Sequence, residues 1–365
     1  MINKILLTPL TILLYLIPIL LQGQSIIKVT KNDFPKKVKL SGQPILTNDY
    51  HHHHHIHVID DFLLTLTNSG EYNYHVFDKK SEKYLGPIGR KGDGPKEWEI
   101  PLTTLGQYEK KDGEIFLWYF DFLRGYLQLM NFSKTVTSKS IDPIIERRLK
   151  FNMRVFPYFQ LLMGDNRKAY ATSWIYEANR GRIKSLDLDS KVIKKSKLFP
   201  EISNDSHLPS EVINSLYSAS FDKHPKENLF IQATFIFNRI DIFDYELNVL
   251  RSIVDGENWQ NNYYDGREID PSSNFIRPRI NGYDGISVSE KYIFALEAKK
   301  NVGTDQEIEN ESFIRVYDWF GKPIVYLEIT HDLSSIDFDK ESRSLYATDY
   351  NHQLVLKIDL SNVIK

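Results

Sequence analysis

The stretch that decides the fold lies near the C-terminus: "SSIDFDKESRSLYATDYNHQLVLKIDL", residues 334–360. Apolar and polar residues alternate over "SSIDFD", again over "SLYATDY" and again over "LVLKIDL", with polar turn residues between. This is the period-2 pattern of three short strands joined by tight turns. The same succession of a polar turn and an apolar strand recurs in "IDD-FLLTL", "KKDGE-IFLWYF", "MGDNRK-AYATSW", "DKHPKEN-LFIQATF" and "VSEK-YIFALE".

The six strands begin near Phe62, Ile115, Ala169, Leu229, Tyr292 and Leu345, so successive spacings are 53, 54, 60, 63 and 53 residues. Each is followed by a second strand that ends at an acid or amide: "YHVFD" at Asp78, "LQLMN" at Asn131, "IKSLD" at Asp187, "IDIFD" at Asp244, "IRVYD" at Asp318 and "LKID" at Asp359. Further strands follow most of these, as in "KYLGPIG" and "PIVYLEI". Four strands in about 50 residues, repeated six times, define an all-β, six-bladed β-propeller with four-stranded blades. One blade cannot bury both of its faces, whereas six in a ring bury each against its neighbours.

The last repeat reaches Lys365 with three strands, so its outer strand must come from elsewhere. The segments "SIIKVTKN" and "KKVKLSG" are unassigned and strand-like. The expectation is that residues 26–45 supply the outer strand of the last blade and close the ring, which removes two open edges.

The repeat over residues 334–360 resembles an NHL-type propeller repeat at Ile336, Asp337, Leu345, Tyr346 and Asp349. The stretch "GPIGRKGDGPKEW", residues 86–98, resembles the "G-x-GxGPxE" signature between the first two blades of exported bacterial TolB-like propellers, at Gly89, Gly92, Gly94, Pro95 and Glu97. The resemblance covers residues 26–365 and implies a six-bladed propeller. The WSPDG-type repeat of TolB itself and a separate N-terminal domain are absent, which argues against a role in the Tol system.

At 365 residues the chain is long enough for two or three domains, yet propellers of this size fold as one unit. The expected division is a signal peptide over 1–24 and a single propeller over 25–365. The start, "MINKILLTPLTILLYLIPILLQGQS", has one early lysine, an apolar run from Ile5 to Leu21 and small or polar residues for cleavage. The run approaches the length of a membrane span. Pro9, Pro18 and the lack of a basic flank after Leu21 favour cleavage and export to the periplasm or beyond, with no membrane span left in the mature chain. There is no cysteine, so disulfides, thiolate metal sites and a lipid-modified cysteine are excluded. With 46 basic and 48 acidic residues, no cationic excess exists to drive nucleic-acid binding.

If the strands of a blade are lettered A to D outward from the axis, loops D–A and B–C open on one face. Loops A–B and C–D open on the other. The long segments "DGENWQNNYYDGREIDPSSNFIRPRING", 255–282, and "EAKKNVGTDQEIENES", 297–312, both fall on the first face, with shorter members "FDFLRG" and "YEANRG". Insertions gathered on one face of a repeat fold mark its binding face.

Motif chemistry is sparse. No G-x-S-x-G elbow and no H-E-x-x-H pair occurs. Gly86–Trp98 lacks the strand–loop–helix setting of a phosphate loop and reads as a tight turn. Asp187 and Asp189 lack the glycine and further ligands of a calcium loop. Trp118, Tyr119 and Trp174 lie in B strands and read as core between blades. Arg277, Arg279 and Asp284, in "IRPRINGYDG", stand at the start of an inner strand, where arginines suit an anionic ligand or a loop-anchoring ion pair.

Six of the seven residues from His51 to His57 are histidine. They fall on the inner strand of the first blade. Alternation would set His51, His53, His55 and His57 in one row, roughly 6.5–7 Å apart, with His52 and His54 beside Ile56 and Val58. Such a row chelates a divalent metal weakly, but a firm site wants further ligands and oriented rings. A divalent ion is the one cofactor to consider. Three functional classes stay open. The first is a noncatalytic scaffold binding a peptide, glycan or protein on the loop-rich face. The second is a metal-assisted hydrolase, lactonase or lyase at the central channel. The third is a sensory or assembly module of a larger exported complex.

Overall fold

The computed structural model describes residues 25–46, 53–67, 70–94, 97–98, 101–121, 124–152, 158–165, 167–173, 182–196, 217–235, 238–256, 282–298, 311–349 and 351–364. Three strands come first: β1 (Ser25–Val29), β2 (Lys37–Leu40) and β3 (Gln43–Ile45). Blade one follows with β4 (His53–Ile59), β5 (Phe62–Thr67), β6 (Tyr72–Asp78) and β7 (Tyr84–Arg90). Blade two has β8 (Pro101–Lys111), β9 (Glu114–Asp121), β10 (Tyr126–Asn131) and β11 (Ile145–Lys150), with the short helix α1 (Phe132–Thr137) before its last strand. Blade three has β12 (Tyr158–Met163), β13 (Lys168–Ser173), β14 (Ile183–Asp187) and β15 (Ile193–Lys195). Blade four has β16 (Ala219–Lys223), β17 (Leu229–Thr234), β18 (Arg239–Asp244) and β19 (Val249–Asp255). Blade five has β20 (Tyr283–Val288), β21 (Tyr292–Glu297), β22 (Ser312–Asp318) and β23 (Pro323–Ile329). Blade six has β24 (Ser335–Asp339), β25 (Ser344–Asp349) and β26 (Leu354–Asp359).

Each blade is an antiparallel meander. The first strands make the inner ring: β4 lies against β8, β8 against β12, β12 against β16, β16 against β20, β20 against β24 and β24 against β4. The six strands located from the repeat are β5, β9, β13, β17, β21 and β25, each second in its blade and each found within one residue of the expected start. Alternation sends their side chains to both neighbours. On β9, Tyr119 packs toward blade one with Trp98 and Tyr74, while Trp118 packs toward blade three with Leu161 and Ala171. Both are buried, as core between blades requires.

The N-terminal segment corrects the expected closure. Only β3 supplies the fourth strand of blade six, antiparallel to β26 with Ile45 opposite Val355. "SIIKVTKN" and "KKVKLSG" do not join that blade. β1 adds in parallel to β19, the outer strand of blade four, and β2 adds in parallel to β23, the outer strand of blade five. The segment therefore straps three consecutive blades. Its apolar residues explain the course: Val29 and Phe34 are buried in the core shared by blades four and five, and Val38 and Leu40 pack on that of blades five and six. Between β1 and β2, Thr30 and Asp33 form a reciprocal cap, with the Thr30 N–H donating to Asp33 at 2.6 Å. That turn places the Phe34 ring 5.4 Å from Tyr317 and 5.6 Å from Tyr326.

The two faces of the ring differ. The turn between β4 and β5 is Asp60–Asp61 and that between β8 and β9 is Asp112–Gly113, with Asp60, Asp112 and Gly113 at positive φ. The strand ends β15/β16, β19/β20 and β21/β22 lie toward the opposite face, and the segments between them that the sequence marks as long connections, 257–281 and 299–310 among them, lie outside the described residues. The exception is the short-turn face of blade two, where α1 occupies the connection between β10 and β11. Among the described residues no helix is long and apolar enough to cross a membrane.

Candidate functional site

The inner strands bring together polar side chains that are far apart in sequence. Near the short-turn end of the channel, Asp337 of β24 accepts from the Val58 N–H of β4 at 2.7 Å and from Ser287 Oγ of β20 at 2.8 Å. Lys223 of β16 donates to the Met163 carbonyl of β12 at 2.9 Å. Gln107 of β8 accepts from the Met163 N–H at 2.9 Å and donates to the same carbonyl. All six inner strands thus carry a polar link to a neighbouring blade.

Enclosure by the ring sets the charge state of this end. Desolvation pushes the Asp222 carboxyl up to about 8, and the nearby charge of Asp337 adds to the rise. Asp337 is itself raised to about 6 by desolvation, against the pull of its hydrogen bonds from Val58, Ser287 and Phe338. Burial also lowers the Lys223 ammonium. Each residue is partly accessible to solvent yet surrounded by protein. At neutral pH Asp222 is a neutral acid beside an ionised Asp337. The named links join neighbouring inner strands at four junctions, β24–β4, β24–β20, β16–β12 and β8–β12, while Asp222 accepts from the Lys223 N–H of its own strand.

The histidine run lies on β4, but the expected single row does not form. A bulge sits between His53 and His55: His53 pairs with Thr67, and His55 pairs with the very next residue, Leu66. The extra residue reverses the alternation. His53 turns to the blade-six side with Ile56, is buried, and lies 6.4 Å from the His75 ring and 6.0 Å from Phe77. His55 and His57 point to the other side, toward blade two. Desolvation lowers the buried His57 to about 3, with the charge of His55 adding to it. His55 is shifted in the same direction, but its side chain is exposed and solvent screens the effect. Both are neutral at physiological pH. His51 lies outside the described residues, and among the described residues no group of three metal-ligating side chains converges.

The other sequence candidates are described only in part. Asp284 is half-buried in β20, while Arg277, Arg279 and Trp174 lie outside the described residues. Asp187 caps its own turn, accepting from the Asp189 and Ser190 N–H groups at 3.0 and 2.8 Å. The glycine stretch is an anchor between blades one and two. Gly89 has φ +75°, and a Cβ there would stand 2.2 Å from the Trp98 ring, which fills the space beneath it. Glu97 accepts from the Gly94 N–H at 3.0 Å, and Arg124 donates to the carbonyls of Gly94 and Glu97. The loop's own groups are engaged with each other, as a structural turn requires.

A cluster that the sequence does not reveal lies where the strap crosses from blade five to blade six. Ser41 Oγ is 3.5 Å from His331 Nε2, and His331 Nδ1 is 3.8 Å from Asp349. The order is that of a nucleophilic triad, but 3.8 Å is beyond hydrogen-bond reach. The buried Asp349 already accepts from His352 Nδ1 at 2.9 Å and from the Asp332 N–H at 3.2 Å. The cluster fastens the strap to the seam.

With the ring established, the chain belongs to a family of six-bladed propellers: the family model described as "TolB-like 6-blade propeller-like" matches residues 33–341. Among solved structures, it is similar to a member of the DUF4221 family from Bacteroides vulgatus, with 12% identity, TM-score 0.55 and coverage of 88% of this chain and 96% of that one. It is also similar to a "putative exported protein" from Bacteroides fragilis, with 16% identity, TM-score 0.50 and coverage of 89% and 88%. At these identities the likeness is one of fold. No curated protein matches the chain.

Proposed function

We propose that this protein is a noncatalytic binding propeller of the cell envelope, which holds a peptide, glycan or protein partner on its loop-rich face. The observation that carries the reading is the unequal length of sequence between strands: Asp60–Asp61 and Asp112–Gly113 suffice between first and second strands, while residues 196–218, 256–282 and 298–311 separate β15 from β16, β19 from β20 and β21 from β22. A rigid ring that presents long connections on one side is a binding scaffold. At the channel end near the short turns, Asp337, Ser287, Lys223 and Gln107 are engaged in links between neighbouring inner strands. Export rests on the basic start and apolar run of residues 1–24, and one structural neighbour is described as exported.

The test is a glycan and peptide array probed with the mature protein and with a variant whose residues 298–311 are replaced by an Asn–Gly turn. The expected outcome is a ligand class bound by the first and lost by the second, with the melting temperature kept. Equal binding by both, or turnover of an arrayed compound, overturns the reading. Mass spectrometry of the exported protein checks the N-terminus, which is expected within a residue or two of Gln24.

A further inference from the structure

Every blade ends on an outer strand whose free side is a row of backbone N–H and C=O groups. Such an edge accepts another strand unless something blunts it. This protein uses that chemistry on itself, since β1 and β2 add in parallel to β19 and β23. Blades one to three carry no such addition among the described residues.

Their three edges are unlike. β7 contains Gly86, Pro87 and Gly89, and the Gly89 N–H donates at 2.9 Å to the carbonyl of Ile141 on the connection after α1. β15 is three residues long. β11 has six residues, "IERRLK", with neither glycine nor proline, and ends its sheet. It carries three cations and one carboxylate. Glu146, Arg148 and Lys150 are exposed on one face, and Ile145, Arg147 and Leu149 are half-buried on the other. Aromatic rings and an amide hold the cations in place. Arg148 Nε donates to Gln128 at 2.7 Å, and its guanidinium and the Lys150 ammonium lie 5.1 and 5.3 Å from the centre of the Tyr126 ring. The five-residue β1 is also an edge, but it has a single cation, Lys28.

We propose that β11 is a docking edge for an extended acidic segment of a partner polypeptide. The segment adds to blade two as a further strand, as β1 and β2 add to blades four and five, and sets its carboxylates against Arg148 and Lys150. Backbone hydrogen bonds supply the affinity of such an addition, and the alternate side chains supply its selectivity. The surface is on the rim of the ring, so its occupation is independent of the loop-rich face.

The probe is an acetylated, amidated eight-residue peptide alternating glutamate and valine, added to the mature protein. Binding is read by fluorescence anisotropy and by amide hydrogen exchange. The expected result is saturable binding with added protection confined to residues 145–150. Arg148→Glu/Lys150→Glu weakens it about tenfold or more, on the scale of two cross-strand charge pairs reversed. Lys150→Glu alone leaves the Arg148–Gln128 bond intact and gives an intermediate loss, which guards against a folding defect in the double variant. A peptide with proline at its centre does not bind. Absence of protection at 145–150 at millimolar peptide, protection located elsewhere, or equal binding of the proline peptide overturns the proposal. The first of these outcomes would leave the charges with the role of keeping edges apart.

Discussion

Blades four to six and blades one to three are built from the same repeat but finished differently. Blades four and five have five strands each, because the N-terminal segment has been laid along their outer edges, and blade six borrows its fourth strand from the same segment. Blades one to three are completed by their own local sequence. The strapped half buries residues from both ends of the chain in common cores: Phe34 with Tyr317 and Tyr326, and Ile45 with Tyr346 and Val355. A ring made only of local meanders would have a seam that opens without disturbing any blade. Here β3 pairs with β26 of blade six and precedes β4 of blade one in sequence, so it holds the seam between those blades, while β1 and β2 brace blades four and five on the same side of it.

The sharpest way to break this comparison is to remove the strap. Deleting residues 25–45 is expected to abolish a cooperative melting transition. Each buried apolar side chain it removes is worth about 1.5–3 kcal/mol, against a typical total stability of about 5–15 kcal/mol. Deleting only 25–40, which spares β3, should leave a cooperative fold with a clearly lower midpoint. Equal midpoints for the shorter deletion and the full chain would show that β1 and β2 are ornaments. Next in size is Phe34→Ala, expected to cost about 3–5 kcal/mol in urea denaturation, as for a buried aromatic.

In the unstrapped half, the junction of blades one and two depends on Gly89. Gly89→Ala combines a positive φ with a Cβ 2.2 Å from the Trp98 ring, so a loss of about 1–3 kcal/mol is expected. A neutral result would mean that Trp98 has room to move and that the turn is not the anchor described.

The inner ring gives a pH signature. Asp222 has a folded value of about 8 against an ordinary 3.8, so the folded state holds the proton more tightly, and stability falls as pH rises from about 4 to about 8. The buried His57 has a folded value of about 3 against 6.5, so stability falls as pH drops from about 6.5 toward 3, with little added by the exposed His55. The melting temperature should therefore peak in the mildly acidic range. Asp222→Asn should flatten the alkaline limb and leave the acid limb intact. An unchanged alkaline limb would remove Asp222 from the account. The smallest contrast is on β4: His53→Ala is expected to cost about 1–2 kcal/mol as a buried ring, and His55→Ala no more than about 0.5 kcal/mol. Equal effects would restore the single row of histidines that the bulge excludes.

Period-2 alternation with a recurrence near 50 residues is a local property of the chain, because each blade is a meander of neighbouring segments. For that reason the sequence by itself determined the all-β class, the number of blades and the second strand of each to within a residue. It also determined the structural nature of Gly86–Trp98 and the buried Trp118 and Tyr119. The tertiary structure alone decided where β1 and β2 go. Three outer edges near the seam offer the same backbone groups, and the choice among them rests on apolar contacts formed only once blades four to six exist. It alone decided the side to which His53 points, since a one-residue bulge inverts a strand's alternation and depends on the partner strand's register. The channel links among Asp337, Val58, Ser287, Lys223 and Met163 also required it, because they join blades whose inner strands meet only when the ring is closed.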